Sequence, residues 1–215
     1  MKKVIIVGSG GHAKVVIDII EQMILNGSQL EIFGVTSNVL TKTDTFLGYQ
    51  VLGSDEIIKN YSHNNGFSAA MGLGGYKDNI LRDKVFHYVK GFGINFINAI
   101  HPTAIISKNV RLGEGIVIFP GVVINTEAQI GDNSIIATSA SIDHETIIES
   151  NVLVSAGVTI GAYSTIGSGS LLALGSKVIS GLLIGKNVLI AAGAMVVSNI
   201  EDNKKVFGIP AKEKN

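Results

Sequence analysis

Two short segments of the chain carry residue types whose spacing suits chemistry. The first is Asp143-His144-Glu145. A histidine between two acids suits a general base, because a neighbouring carboxylate fixes the imidazole tautomer and raises its basicity. The competing reading is a solvated surface histidine. The second is Gly8-Ser9-Gly10-Gly11-His12-Ala13, which reads G-x-G-x-x-A. Between a strand and a helix such a turn cradles phosphate: its backbone N–H groups approach the anion and the helix N-terminus adds partial positive charge. A dinucleotide site would add an acid at the end of the second strand, about 20 residues on. Here that place holds Thr36-Ser37-Asn38. The pattern favours a nucleotide or nucleotide sugar over NAD, with a ligand-free tight turn as the alternative.

The remaining histidines are weaker candidates. His12 lies in the Gly-rich turn, where a substrate would meet it, and His63 falls in a loop. His87 falls on a helix as a structural residue, and His101 is read as a structural cap. The second half of the chain holds only His101 and His144, so a zinc site built from three histidines is not available there, and no metal is expected. With no Cys, disulfides, thiolate metal sites and Cys nucleophiles are excluded together.

The elements that must position these residues follow two grammars. From Ile100 every sixth residue is Ile, Leu or Val: Ile100, Ile106, Leu112, and so on without a break to Val196. The fifth position of each hexad is mostly small, as at Ala104, Ala128, Ser134, Ala140, Ser164 and Ser170. A fixed six-residue period is the signature of a parallel β-helix. Three hexads make one coil of eighteen residues with three flat faces, and successive coils stack like parallel strands roughly 4.8 Å apart. A β-sandwich is the alternative, but it has a period of two and no six-residue lock. In this frame the first and fifth positions point inward. His144 and Glu145 take positions three and four, at a corner or outer face, which favours the general base.

The first hundred residues alternate strand and helix. Lys3–Val7, Leu30–Val35, Gln50–Leu52 and Phe67–Met71 read as strands. His12–Leu25 and Asn79–Lys90 read as helices, with a further helix capped by Ser54 and running through Tyr61. Such alternation implies a parallel sheet with right-handed crossovers. The expected domains are therefore an α/β unit over 1–98, a β-helix over 99–201 and a tail over 202–215.

Composition limits the function classes. Of 215 residues, 46% are hydrophobic and 16% charged, enough apolar content for a core. Seventeen basic and seventeen acidic side chains give zero net charge, which argues against nucleic-acid binding. No stretch reaches the roughly 18 apolar residues of a membrane span. The apolar run after Met1-Lys2-Lys3 stops at Gly8, too short for the core of a signal peptide. A soluble, cytoplasmic protein is expected.

Together the Gly-Ser-Gly-Gly-His turn, the uninterrupted hexads, the Asp143-His144-Glu145 triplet and the ending Gly208-Ile209-Pro210-Ala211-Lys212 resemble one family. It is the hexapeptide-repeat sugar acyltransferases of the sialic-acid O-acetyltransferase (NeuD) and PglD type. The resemblance spans nearly the whole chain. It implies a Rossmann-like α/β domain, a left-handed β-helix, a homotrimer, and acetyl transfer from acetyl-CoA to a bacterial sugar or nucleotide sugar. By the same resemblance His144 is the catalytic base and Glu145 the acid that raises its basicity. The sugar or its nucleotide binds around Gly10, Gly11 and His12, with Ser37, Asn38 and Gly72 as further substrate contacts. CoA lies between subunits against Ala162, Leu174 and Ala192. Ala162 stands one coil on from His144, where its N–H would meet the thioester oxygen.

The chain departs from the family's pattern at Ser37-Asn38, where many members carry paired Asp residues. Two other departures are Leu153, where a second histidine is common, and Ala137-Thr138, where Asn-Thr is common. The loop Gly72-Leu73-Gly74-Gly75-Tyr76-Lys77 is also longer than in amino-sugar N-acetyltransferases. The expected activity is N-acetylation of a nucleotide-linked 4-amino sugar. The alternatives are O-acetylation of a sialic- or legionaminic-type acid and a non-catalytic trimeric binding protein.

Overall fold

A computed structural model describes residues 1–75 and 79–213. The α/β unit contains β1 (Lys2–Val7), α1 (Gly11–Leu25), β2 (Leu30–Thr36), β3 (Thr45–Phe46), β4 (Tyr49–Gly53), β5 (Phe67–Met71) and α2 (Ile80–Lys90). The strand order is β3-β4-β2-β1-β5. All neighbours are parallel except the β3–β4 hairpin. The interior strand β1 is apolar and buried from Val4 to Val7 because both its faces are covered there. Val4 and Ile6 pack with α1, and Ile5 and Val7 pack with Phe86 and Val89 of α2. The segment expected as a helix after Ser54 is a 3-10 turn over Asp55–Asn60, and the Ser54 side chain makes no capping bond. The short strand β3 escaped the sequence reading; at two residues it shows no periodicity.

From Ala99 onward the chain is a left-handed parallel β-helix. Its hexads form three ladders in which partners stand eighteen residues apart, as in Ile124, Ile142, Ile160, Val178 and Val196. First- and fifth-position side chains fill the prism. At the fifth-position residues Ser134, Ser164 and Ser170 the adjacent coil satisfies the hydroxyl, whereas Ser176 Oγ is buried with no partner among the described residues. Ser170 Oγ donates to Gly185 O at 2.9 Å and accepts from Val188 N at 3.0 Å. The chain past residue 201 is more than a tail. Lys205–Phe207 stacks in parallel on the coil strand Leu189–Ile190, and Lys212–Glu213 folds back antiparallel upon it.

Backbone bonding sets the corners. Second-, fourth- and sixth-position N–H groups donate to adjacent coils, as Asp143 N to Ile160 O, Glu145 N to Thr126 O and Ser141 N to Val158 O. The fourth position turns the chain, and from Gly115 to Gly193 each such residue has positive φ.

The two units share an interface. The α1 helix lies between its sheet and the first coils, so Ala99 and Val117 join its core. On the other side, the fully buried Arg82 of α2 faces no carboxylate among the described residues. Its guanidinium donates to Asn133 O at 2.9 Å and Gly115 O at 3.1 Å on the β-helix. It also donates to Leu73 O and, at 3.5 Å, to Met71 O at the end of β5. Asn79 adds a bond to Asn151 O at 2.9 Å. Arg82 is a planar fork that ties loop 71–75 to two coils at once.

Removing that fork strands several buried carbonyls. Arg82→Ala is expected to lower the unfolding free energy by roughly 3–5 kcal/mol, read by urea denaturation. Arg82→Lys restores only part, because an ammonium cannot span the same acceptors.

Candidate active site

The Gly-rich turn sits where the strand order reverses. β1 is flanked by β2 on one side and β5 on the other, so the ends of β1 and β5 open the crevice in which such sheets bind ligands. The two segments meet closely. Gly72 N donates to Val7 O at 2.9 Å, and a Cβ on Gly72 would stand 2.7 Å from that same oxygen. Gly8, with φ +96°, lies against Leu73. Gly10 and Gly11 are exposed at the start of α1, and Gly10 in the N-cap position has no side chain to fill the approach.

The end of β2 is organised by hydroxyls. Ser9 Oγ donates to Ser37 Oγ at 2.7 Å, and Ser37 Oγ accepts from Val39 N and Leu40 N. Ser37 is therefore buried and holds the turn, while Asn38 beside it is exposed. Thr36 Oγ1 accepts from Gly8 N at 3.0 Å and donates to Asp55. A carboxylate thus does stand at the end of the second strand. It arrives from the 3-10 turn, nineteen residues beyond Thr36, and no local spacing announced it.

His12 stands between the α/β unit and the prism. Its ring stacks on Phe119, with centroids 5.8 Å apart, and Gly74 packs against it. The Nε2 atom is buried without a partner. Burial, helped by the Arg82 charge, depresses the His12 pKa to about 3, so the ring is neutral. A cleft begins here and runs along the β-helix past Leu153, Ala156 and Leu174. Ala137, Thr138 and Leu153, the departures noted above, all line it. Of the loop over 72–77, Tyr76 and Lys77 lie outside the described residues.

His144 and Glu145 lie at the next corner of the prism. Asp143 Oδ1 accepts from Asn125 Nδ2 at 2.9 Å and from the His144 backbone N–H at 2.8 Å, which hold its carboxyl below the usual range. His144 Nδ1 is 3.0 Å from Glu145 Oε2. An ionised carboxylate only accepts, so Nδ1 carries the proton and Nε2 keeps its lone pair for a substrate. One coil on, Ala162 presents a third-position N–H. At other corners a carboxylate takes this group, as Glu149 does at Ser168, 2.9 Å, and Asp202 at Lys186, 2.8 Å. At Ala162 it has no partner among the described residues. Leu174 and Ala192 form an exposed column at the corner along the His12 cleft, eighteen residues apart, away from the column of His144 and Ala162.

The backbone marks the same corner. Elsewhere the left-handed turn residues are Gly, Asn or Ser, which tolerate that conformation. In the His144 column they are Glu127 at φ 63°, Glu145 at 55° and Tyr163 at 60° before Gly181. A bulky side chain there costs roughly 1–2 kcal/mol, and such strain gathers at functional sites. The sequence reading passed over Tyr163, although an aromatic residue at a fourth position was a visible signal.

Among the described residues no group of three or more His, Asp or Glu is placed to hold a metal ion, and no helix is long and apolar enough to cross a membrane.

The PglD N-terminal domain family matches residues 3–89. Over the whole chain the structure is similar to perosamine N-acetyltransferase from Caulobacter crescentus, solved as a mutant with CoA and GDP-perosamine. The identity is 32% and the TM-score 0.89, with 100% of this chain and 98% of that chain covered. It is also similar to the acetyltransferase domain of PglB from Neisseria gonorrhoeae with acetyl coenzyme A, at 25% identity and a TM-score of 0.87, covering 99% of each. WeeI from Acinetobacter baumannii shares the fold at 19% identity and a TM-score of 0.64, covering 100% of each chain. No curated protein matches the sequence.

The buried neutral His12 has a measurable consequence. Unfolded histidine titrates near 6.5. Between there and about pH 3 the unfolded chain binds a proton that the folded chain does not, so stability falls as pH is lowered through that window. The thermal midpoint is expected to drop more between pH 7 and 4.5 in the wild type than in His12→Phe. Equal drops would mean that His12 is not held neutral.

Proposed function

Because the chain belongs to the PglD-type hexapeptide-repeat sugar acetyltransferases, acyltransferases that use acetyl-CoA, we propose that it N-acetylates a nucleotide-linked 4-amino sugar with His144 as general base. The observation that carries this reading is the His144–Glu145 pair, with Nε2 free and the Ala162 N–H unclaimed one coil away. The relative from Caulobacter crescentus, solved with GDP-perosamine and CoA, supports the substrate class.

The Gly10–Gly11 turn and the start of α1 receive the diphosphate, His12 and Gly72 line the sugar side, and Asn38 and Asp55 border the nucleoside. Ser37 acts here by shaping the turn. The acceptor amine attacks the thioester carbonyl as a C–N bond forms, and His144 Nε2 takes the amine proton. Glu145 stabilises the resulting imidazolium through Nδ1–H. The Ala162 N–H receives the developing oxyanion, worth about 2.7–4 kcal/mol for donors of this kind. The C–S bond then breaks, and the proton passes from His144 to the departing thiolate of CoA. No covalent enzyme intermediate is required.

A single chain keeps the His12 cleft and the His144 corner apart. We therefore assign the working form as a homotrimer, with the corner of one subunit facing the cleft of its neighbour and CoA between them along Leu174 and Ala192. Exposed apolar residues support this: Ile147, Ile179 and Leu183 flank the His144 corner, at 39%, 38% and 59% exposure.

The test is thiol release from acetyl-CoA with UDP- and GDP-linked 4-amino sugars and with sialic- and legionaminic-type acids. Release with a nucleotide amino sugar is expected, falling at least 100-fold in His144→Ala while sedimentation still shows a trimer. Full turnover in that variant removes the assigned base. Release only with the acids moves the activity to O-acetylation.

A further inference from the structure

The left-handed turn above the His144 corner is made by an aromatic residue, Tyr163. We infer that Tyr163 is a positioning residue of the transfer step: its ring braces the His144 imidazole edge-on, beside the Glu145 carboxylate, so that Nε2 meets the acceptor in one orientation. The inference rests on the reading of His144 as the base.

Two contacts converge. The Tyr163 ring meets the His144 ring at 4.9 Å between centroids and 88° between planes. The Tyr163 N–H donates to His144 O at 3.2 Å, which locks the two corners one above the other. The Glu145 carboxylate beside the phenol raises its pKa, so the hydroxyl stays protonated and turned to that carboxylate. His144 Nδ1 holds Glu145 from the other side.

Local folding does not require this residue. A corner at φ 60° is best made by glycine, and the next corner of the same column is Gly181. In the other two columns the left-handed residues are Gly, Asn or Ser. A tyrosine kept where the backbone favours glycine points to a task beyond turning the chain. Its position is informative as well. It directly follows Ala162, so its backbone fixes the plane of the peptide next to the unclaimed N–H. The residue stands beside the His144 imidazole and is 59% exposed in the single chain.

Tyr163→Gly and Tyr163→Phe test this. The glycine variant removes the ring from a conformation that glycine adopts readily, so its thermal midpoint should stay at or near the wild-type value. Its kcat should nevertheless fall about ten- to a hundredfold, with KM for acetyl-CoA changed by less than threefold. The phenylalanine variant keeps the ring and loses the hydroxyl. Glu145 then gives its whole charge to the imidazolium, so the acid limb of the kcat/KM profile should move to higher pH with a smaller loss of kcat. Wild-type kcat and an unchanged pH profile in both variants would overturn the inference. His144→Ala is assayed in parallel. If it is inactive while both Tyr163 variants behave as wild type, only the role of Tyr163 fails. If it is active, the base and the residue positioning it fail together.

Discussion

The left-handed residue at every sixth position is the constraint on which the rest of the structure depends. It turns the chain through one corner, returns it over itself after eighteen residues, and brings each N–H of the ladder to a carbonyl of the adjacent coil. Everything else inherits that register. The inward rows of Ile, Leu and Val line up because the corners do. The third-position N–H groups point outward because the ladder does not use them. A catalytic residue placed on such a frame needs no loop to aim it, since its neighbours above and below are fixed by the same repeat.

The frame also explains how the site is divided. The α/β unit packs on one face of the prism, tied there by Arg82 and by the shared core of α1, and its crevice opens towards one column of corners. His144 and Glu145 lie on the next column. The buried cation at Arg82 also bears on the crevice side, because it helps keep His12 neutral and holds the chain at Met71 and Leu73.

The period, the inward faces and the placing of His144 and Glu145 at an outer corner were all legible in the sequence, because a repeat writes its geometry into residue spacing. Four of the five strands of the α/β unit were legible to within a residue or two, and the two-residue β3 was not. Three other features were not. Arg82 reads as an ordinary helix residue, since its partners are backbone carbonyls, which carry no sequence signal. Asp55 reaches Thr36 across the sheet from a different element, and spacing rules look only along one strand. Ser37 was read as a substrate contact, but its hydroxyl is taken by the turn it caps. Tyr163 is of another kind. Its signal was present in the repeat, as the one aromatic residue among the turn positions, and reading it required knowing which position carries the left-handed backbone.

The eighteen-residue register also makes the β-helix a ruler with coarse graduations. Adding or losing a single residue within a coil would exchange inward and outward side chains along everything downstream, so small changes of length are closed to it. Whole coils are a different matter. One coil more or less leaves each ladder intact and moves its far end by one strand spacing, roughly 4.8 Å. The length of groove beyond His144 can therefore be lengthened or shortened only in such steps, while the chemistry at the corner and the crevice in the α/β unit stay as they are.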